Sequence, residues 1–570
     1  MKVGGTLLRL ARVWFALGAA LCVAPLGQNL AAQEKPKHTV FYTHGRIYTN
    51  DPANPRAEAM AVTDGQITCI GKLDHVLLEC GGSQQGAETV HLDGLFVMPG
   101  FNDAHVHLGS AGADALAVEL RGVSSAQELQ KRVAEAVAHH KEGEWITGSG
   151  WDHTLWPDKR FPNRQELDAV APNNPVILTH ISGHVAVANS LALKKAEIDK
   201  STPNPPGGEI EHDGLGEPTG MLKESAAMNL VRVRIPDPSM EERRRGIEIV
   251  LANVARNGVT SVQDNSAWED FQVYQQLKEE GKLTARITEW LPFNASLNEL
   301  QDRRAQGGTT DPWLKTGALK AVTDGALGSR TAAMLEPYSD DTSTKGISTY
   351  DPDKLRDMAI ARDKAGFQLN FHAIGDRANR IALDVFEAVL KTNGPRDRRD
   401  RIEHAQVVAT VDFQRFKALK VIASMQPSHQ TTDMRWAEDR IGTERIKGAY
   451  AWNTMLRDGV RLAFGTDYPV EPVSPFRGLY ACVTRERPDG GPRNGWEPQE
   501  KISLEDCIRA YTSGSAYAQF EEGKKGELKV GEFADFIVLS DDLSKIPPSQ
   551  YTKVRVLRTV VGALTVYQAN

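Results

Sequence analysis

Between residues 39 and 97 apolar and polar positions alternate in short runs, at 45–48, 59–63, 66–70 and 89–92, with turn residues between them. Period-two alternation predicts half-buried β-strands, and Asp64-Gly65 between two such runs predicts a tight hairpin. The pattern then changes to a continuous apolar run, Val97-Met98-Pro99-Gly100-Phe101-Asn102-Asp103-Ala104-His105-Val106-His107. Pro-Gly turns the chain into a buried strand. Because side chains alternate along a strand, His105 and His107 share one face and can grip one cation.

From residue 258 onward apolar strand-like runs alternate with helical stretches. They fall at 258–264, 284–290, 317–323, 367–372, 401–404, 420–425 and 460–467. Adding the His105 strand makes eight, the count of a (β/α)8 barrel of the TIM type. Spacing agrees. His372 and His404 lie about one βα unit apart and His404 and Asp467 about two, at roughly 30 residues per unit. The interval from His107 to Val259 exceeds one unit by roughly 120 residues, so a long insertion follows the first barrel strand. This insertion, about 124–235, carries an amphipathic helix at 126–140 and the Pro/Gly-rich stretch 202–208, without regular βα alternation. Strand patterns return at 526–532, 534–539, 554–559 and 563–567 and complete a β-sandwich begun near residue 39. The expected fold is therefore α/β: a barrel over 97–480 and a small β-sandwich built from 33–96 and 481–570, the last segment also supplying the terminal barrel helix.

Composition adds boundaries to this picture. A chain of 570 residues with 41% hydrophobic and 25% charged residues has ample core, and a net charge of −7 with no basic stripe excludes a nucleic-acid partner. Residues 1–32 read as a secretory signal peptide: Lys2, Arg9 and Arg12 precede an apolar segment too short to span a bilayer. The mature chain is then expected in the periplasm or secreted, with no stable membrane insertion, and a homodimer is the base-rate expectation. Four cysteines remain after residue 32, without metal-site spacing and too few for a disulfide framework; a Cys69–Cys80 bridge stays open.

Catalytic groups of such barrels sit at the C-terminal ends of the strands. Those ends carry His105 and His107, Lys320, His372, His404 and Asp467. Neutral imidazoles with a carboxylate suit a divalent ion such as zinc. The segments Phe371-His372-Ala373-Ile374-Gly375-Asp376, Arg401-Ile402-Glu403-His404-Ala405-Gln406 and Phe464-Gly465-Thr466-Asp467-Tyr468-Pro469-Val470, together with His105-Val106-His107, Lys320 and the run 323–330, resemble the amidohydrolase superfamily, specifically amidohydrolase family 3. The resemblance spans nearly the whole mature chain and includes N-substituted formamide deformylases. It implies His105, His107 and Asp467 on one metal and His372 and His404 on a second, bridged by a carboxylated Lys320, with Asp324 an alternative ligand and a mononuclear site the alternative outcome. It implies hydrolysis of an amide, N-acyl or N-formyl C–N bond in a small molecule by a metal-activated hydroxide, Asp467 acting as general base and acid. Ester or lactone hydrolysis, ring deamination, and a non-catalytic binding role are the alternatives on the same site. Asp152, His184, Arg330, Tyr338 and Trp452 stand in segments resembling family loops and are candidate substrate contacts.

Overall fold

The computed structural model describes residues 38–83 and 85–570. Eight parallel strands form the central sheet, labelled β1 (Phe101–Val106), β2 (Val259–Asp264), β3 (Arg286–Pro292), β4 (Leu314–Val322), β5 (Leu369–Ala373), β6 (Arg401–His404), β7 (Ile422–Met425) and β8 (Leu462–Phe464). Each pairs with its neighbour in chain order, from β8 through β2 to β1. The ring closes just beyond β8, where the Asp467 amide donates to the His105 carbonyl and the His107 amide to the Tyr468 carbonyl, both at 2.8 Å. These strands are buried on both faces, which is why they read as apolar runs rather than alternating ones. The helix Met240–Arg256, started by a Ser239–Glu242 capping box, packs its apolar side on the barrel through Ile247, Val250, Leu251 and Val254.

The apolar run at 97–107 divides at Gly100. Phe96–Pro99 pairs with Phe536–Leu539 in a six-stranded sheet of both chain ends, whereas the next residues form β1. A four-stranded sheet faces that one across a core of Tyr42, Met60, Val97, Phe536 and Val560, giving the expected sandwich. Asp64 and Gly65, with φ of 51° and 84°, form the turn between Ala59–Thr63 and Gln66–Gly71.

Three expectations need correction. No strand forms at 526–532; the segment bonds to the sandwich at isolated points, Leu528 to the Thr49 carbonyl and Gly531 to the Ile67 carbonyl, rather than as a ladder. The insertion is not irregular. It builds its own six-stranded mixed sheet from strands between Val118 and Lys223, over two apolar clusters around Trp151 and Leu222. Its strands are short and partly antiparallel, so no βα period was visible. The helix expected at 126–140 ends earlier, as Ala126–Val137. Cys69 and Cys80 are disulfide-bonded. Among the described residues no helix is long and apolar enough to cross a membrane. The signal-peptide reading lies outside the described residues.

Candidate metal centre

Strand register brings the histidines to the same end of the barrel, His372 opposite Glu403 and so one residue short of His404. Val322 lies opposite His372, and Ala373 opposite His404, so the ends of β4, β5 and β6 step by one residue toward the barrel mouth. His107 lies one residue past β1 and is the cap of the helix Leu108–Leu116. His404 and Asp467 occupy the left-handed backbone region, with φ of 73° and 59°, a strained conformation for residues other than glycine that concentrates at functional sites.

Each of three imidazoles is held by its Nδ1. His105 Nδ1 lies 2.7 Å from the Glu403 carboxylate, His107 Nδ1 donates to the Asn265 carbonyl at 3.0 Å, and His404 Nδ1 to Gln426 Oε1 at 2.7 Å. Protons on Nδ1 leave each Nε2 unprotonated, and that of His105 also lies 3.1 Å from Lys320 Nζ, which can donate to it. Two of these lone pairs face an anion: Asp467 Oδ1 is 3.1 Å from His107 Nε2 and 3.6 Å from His105 Nε2. A carboxylate oxygen opposite unprotonated nitrogens makes no hydrogen bond, and Asp467 Oδ1 is buried without a partner. Lone pairs converging on one point call for a cation between them. The tethered Nδ1 is the usual arrangement for a metal-bound histidine.

Electrostatics favours the ligand forms. Burial and the neighbouring Lys320 lower His105 to about 4, against the pull of Asp467 and Glu403, so it is neutral. Burial and His372 hold His404 well below its ordinary range. Burial alone would raise Asp467, but the surrounding histidines, His105 first, outweigh it and keep the carboxylate ionised. Lys320 is lowered by burial to about 8, with Nζ 3.1 Å from His105 Nε2 and 5.1 Å from the Trp290 ring centre.

At the barrel mouth two groups of ligand atoms are close enough to hold an ion: His105, His107 and Asp467, and His404, His429 and Asp467. His429, in the helix Pro427–Asp433, is the residue that sequence reasoning missed. Its Nε2 is buried, unpartnered and 3.5 Å from Asp467 Oδ2. It follows β7 directly in Gln426-Pro427-Ser428-His429, so extending the search past the strand end would have found it. His372 sits beside His404, ring centres 4.5 Å apart, but its Nε2 faces the Gly325 carbonyl and Asp324 at 3.3 Å, leaving Nδ1 for an ion. Asp324 is structural: its carboxylate accepts the amides of Ala333, Ile374 and Gly375, so it is not the alternative ligand.

The five outlying candidates have other partners. Arg330 forms a two-pronged pair with Asp340, so its fork is not free for a substrate carboxylate. Tyr338 donates to the Ala332 carbonyl in the core. Trp452 is fully buried with the Arg485 guanidinium over its ring. His184 is exposed and pairs with Glu224. Asp152 gathers with His153 and His180 at the end of the insertion sheet.

The Amidohydrolase family model matches residues 88–567. The chain is 37% identical to Protein LONG AFTER FAR-RED 3 of Arabidopsis thaliana over 93% of its own length and 91% of that protein. It is 29% identical to an N-substituted formamide deformylase of Arthrobacter pascens, covering 92% of this chain and 97% of the enzyme. The crystal structure of an uncharacterised metal-dependent hydrolase from Pyrococcus furiosus superposes with a TM-score of 0.73 at 29% identity, covering 90% of this chain and all of that one. A closed eight-stranded barrel, histidines and an aspartate gathered at its mouth, and a family match across both domains lead to one assignment: the chain belongs to amidohydrolase family 3 of the amidohydrolase superfamily.

Proposed function

We propose that the protein hydrolyses a C–N bond in a small N-formyl or N-acyl amine. The observation that carries this reading is the convergence of unprotonated Nε2 atoms on the ionised Asp467. One or two divalent ions, zinc by donor type, would be held by His105, His107, Asp467 and His404, with His372 offering Nδ1 and His429 close by as a proton-transfer group. Such an ion, when bound, supplies Lewis acidity that polarises a carbonyl and makes water nucleophilic near neutral pH.

The protein's own groups do the rest. Ionised Asp467 takes the proton of the attacking water and returns it to the leaving amine, which otherwise departs poorly as an anion. His429, with Nε2 within 3.5 Å of Asp467 Oδ2, passes that proton or steadies the substrate carbonyl. Lys320, brought by burial to about 8, has neutral amine available near that pH to add CO2 with loss of a proton, and the carbamate so formed would be an anionic group suited to holding a divalent ion. The kinship to a deformylase supports an acyl or formyl amine over other C–N substrates.

The test combines metal content per chain, wild type beside Lys320→Ala, with turnover of a panel of N-formyl amines, N-acetyl amines and matching esters. About two metals falling in the variant is the result expected for a bridged site. About one metal in both proteins refutes the carbamate bridge. Turnover of esters without any amide refutes the C–N assignment.

We also infer export to the periplasm or beyond. The charge and apolar pattern of residues 1–32 supports it, as does the Cys69–Cys80 disulfide, since such bonds persist in oxidising compartments. Mass spectrometry of the protein from a periplasmic fraction should find a chain beginning near residue 33; an intact Met1 would overturn this.

A further inference from the structure

The ladder between β4 and β5 is regular from Leu319 to Val322 and sorts their side chains by face. Leu319 and Ala321, with Leu369 and Phe371 opposite them, are buried between the barrel and its helices, where Phe371 stacks on Phe386 of the helix Asp376–Asn393. Lys320 and Val322, with Asn370 and His372 opposite, therefore face the barrel interior. Lys320 is 7% exposed and reaches His105 at 3.1 Å, whereas Val322, one step nearer the mouth on the same face, is 47% exposed. An apolar side chain thus stands open beside the metal centre.

Its backbone is fixed. The Val322 carbonyl accepts the Thr349 hydroxyl, the Thr323 carbonyl accepts the Thr349 amide at 3.0 Å, and the Thr323 amide donates to the His372 carbonyl at 3.2 Å. Charge points the same way as shape. Arg330 and Arg440 stand on the segments that follow β4 and β7, and both already grip Asp340. A carboxylate set against Val322 would lose hydration and gain neither of these cations, whereas an alkyl or aryl group would cover apolar surface.

We propose that Val322 is a specificity-determining residue: it meets the substituent carried next to the scissile bond and selects one that is apolar and uncharged. This rests on the hydrolase reading of the preceding section and narrows it. Amides with an alkyl or aryl group at this position are substrates, and analogues that end there in a carboxylate are poor ones.

The probes are N-formylpentylamine and N-formyl-δ-aminovalerate, whose chains differ only in ending with a methyl group or a carboxylate, assayed with the metal-loaded full-length protein. Wild type is expected to favour the first by roughly tenfold or more in kcat/KM. Val322→Thr keeps the shape but replaces one methyl group with a hydroxyl, and Val322→Ala removes both. They should cut the preference by roughly threefold and tenfold, chiefly through KM of the apolar probe, with metal content unchanged. Equal turnover of the two probes by wild type, a preference that neither substitution moves, or loss of metal in Val322→Ala would each overturn the proposal. The matching esters, pentyl formate and δ-formyloxyvalerate, separate it from the C–N reading: if only esters are cleaved, that reading falls and Val322 is judged on the ester pair by the same criteria. If all four are left intact, both fall.

Discussion

Replacing Glu403 with glutamine removes one charge from beneath the metal centre and little else. In the wild type Oε2 lies 2.7 Å from His105 Nδ1 and accepts the Ser424 hydroxyl at 2.8 Å, while Oε1 lies 2.6 Å from Arg401 Nε. All of these side chains are buried. Burial would raise the Glu403 carboxyl, but Arg401 and His105 outweigh it and lower it to about 2 from an ordinary value of 4.5. At about 1.4 kcal/mol per pH unit this depression corresponds to about 3 kcal/mol. A carboxylate with a depressed pKa lends that stability fully above pH 4.5, and it is lost as pH falls through about 2. Independently, breaking one side of a buried ion pair costs about 3–5 kcal/mol, because Arg401 keeps its charge. Both routes put the cost of Glu403→Gln near 3 kcal/mol at neutral pH. The same change loosens the tether that aims His105 Nε2, and losing such an outer partner typically weakens metal binding by about 10- to 100-fold. Chelator competition gives the metal affinity, and melting of the apo and metal-loaded protein gives the stability. A folded variant that binds metal as tightly as wild type would refute the claim that Glu403 orients His105.

Four further outcomes follow from other parts of the structure. His429→Asn should keep its metal and lose roughly 10²- to 10⁴-fold in turnover, as expected for a proton-transfer group; loss of metal instead would make His429 a ligand first. Gly465→Ala should weaken metal binding and lower Tm, since an added Cβ would come within 2.6 Å of the His105 amide nitrogen and force β8 away from β1; unchanged affinity would show that the closure tolerates the shift. Asp324→Asn should lower unfolding free energy by about 1–3 kcal/mol, read by melting, while metal content stays at the wild-type level, because it loses part of a backbone-amide cradle and no ligand. Glu532 is raised by burial from 4.5 to about 7, so its penalty is absent below pH 4.5 and complete above about 7; Glu532→Gln should melt with wild type in acid and higher than wild type at pH 8, by up to about 3 kcal/mol, and equal melting at pH 8 would refute it.

The barrel was legible because its strands are buried on both faces, which leaves apolar runs ending in chemically distinctive residues. His105, Lys320, His372, His404 and Asp467 all came from that rule, and the first and last of them meet where the ring closes. The insertion was not legible for the opposite reason. Strands such as Val185–Ala188 and Glu209–His212 are short, and what holds them is packing against Trp151 and Leu222 rather than a periodic pattern. The strand expected at 526–532 failed similarly: its alternation is real, but its neighbours offer single carbonyls instead of an open edge.

The most informative omission concerns orientation. Sequence patterns nominated ligands but gave no means of saying which nitrogen of a histidine is free, because that is decided by residues whose own patterns are unremarkable. Asn265 follows β2, Gln426 follows β7, and Glu403 reads as one more position of a buried strand, yet these three fix the tautomers of His107, His404 and His105. Without their acceptors each imidazole would be free to turn its N–H toward Asp467, satisfy it, and leave no requirement for a cation. The candidate metal centre is therefore specified less by the histidines, which any of several hydrogen-bonding patterns would accommodate, than by three acceptors that hold the Nδ1 protons and leave each Nε2 unprotonated beside Asp467. That makes Gln426 and Glu403, whose acceptors are side chains, the positions at which metal binding can be lost while every proposed ligand is still present, whereas Asn265 acts through a backbone carbonyl that substitution would leave in place.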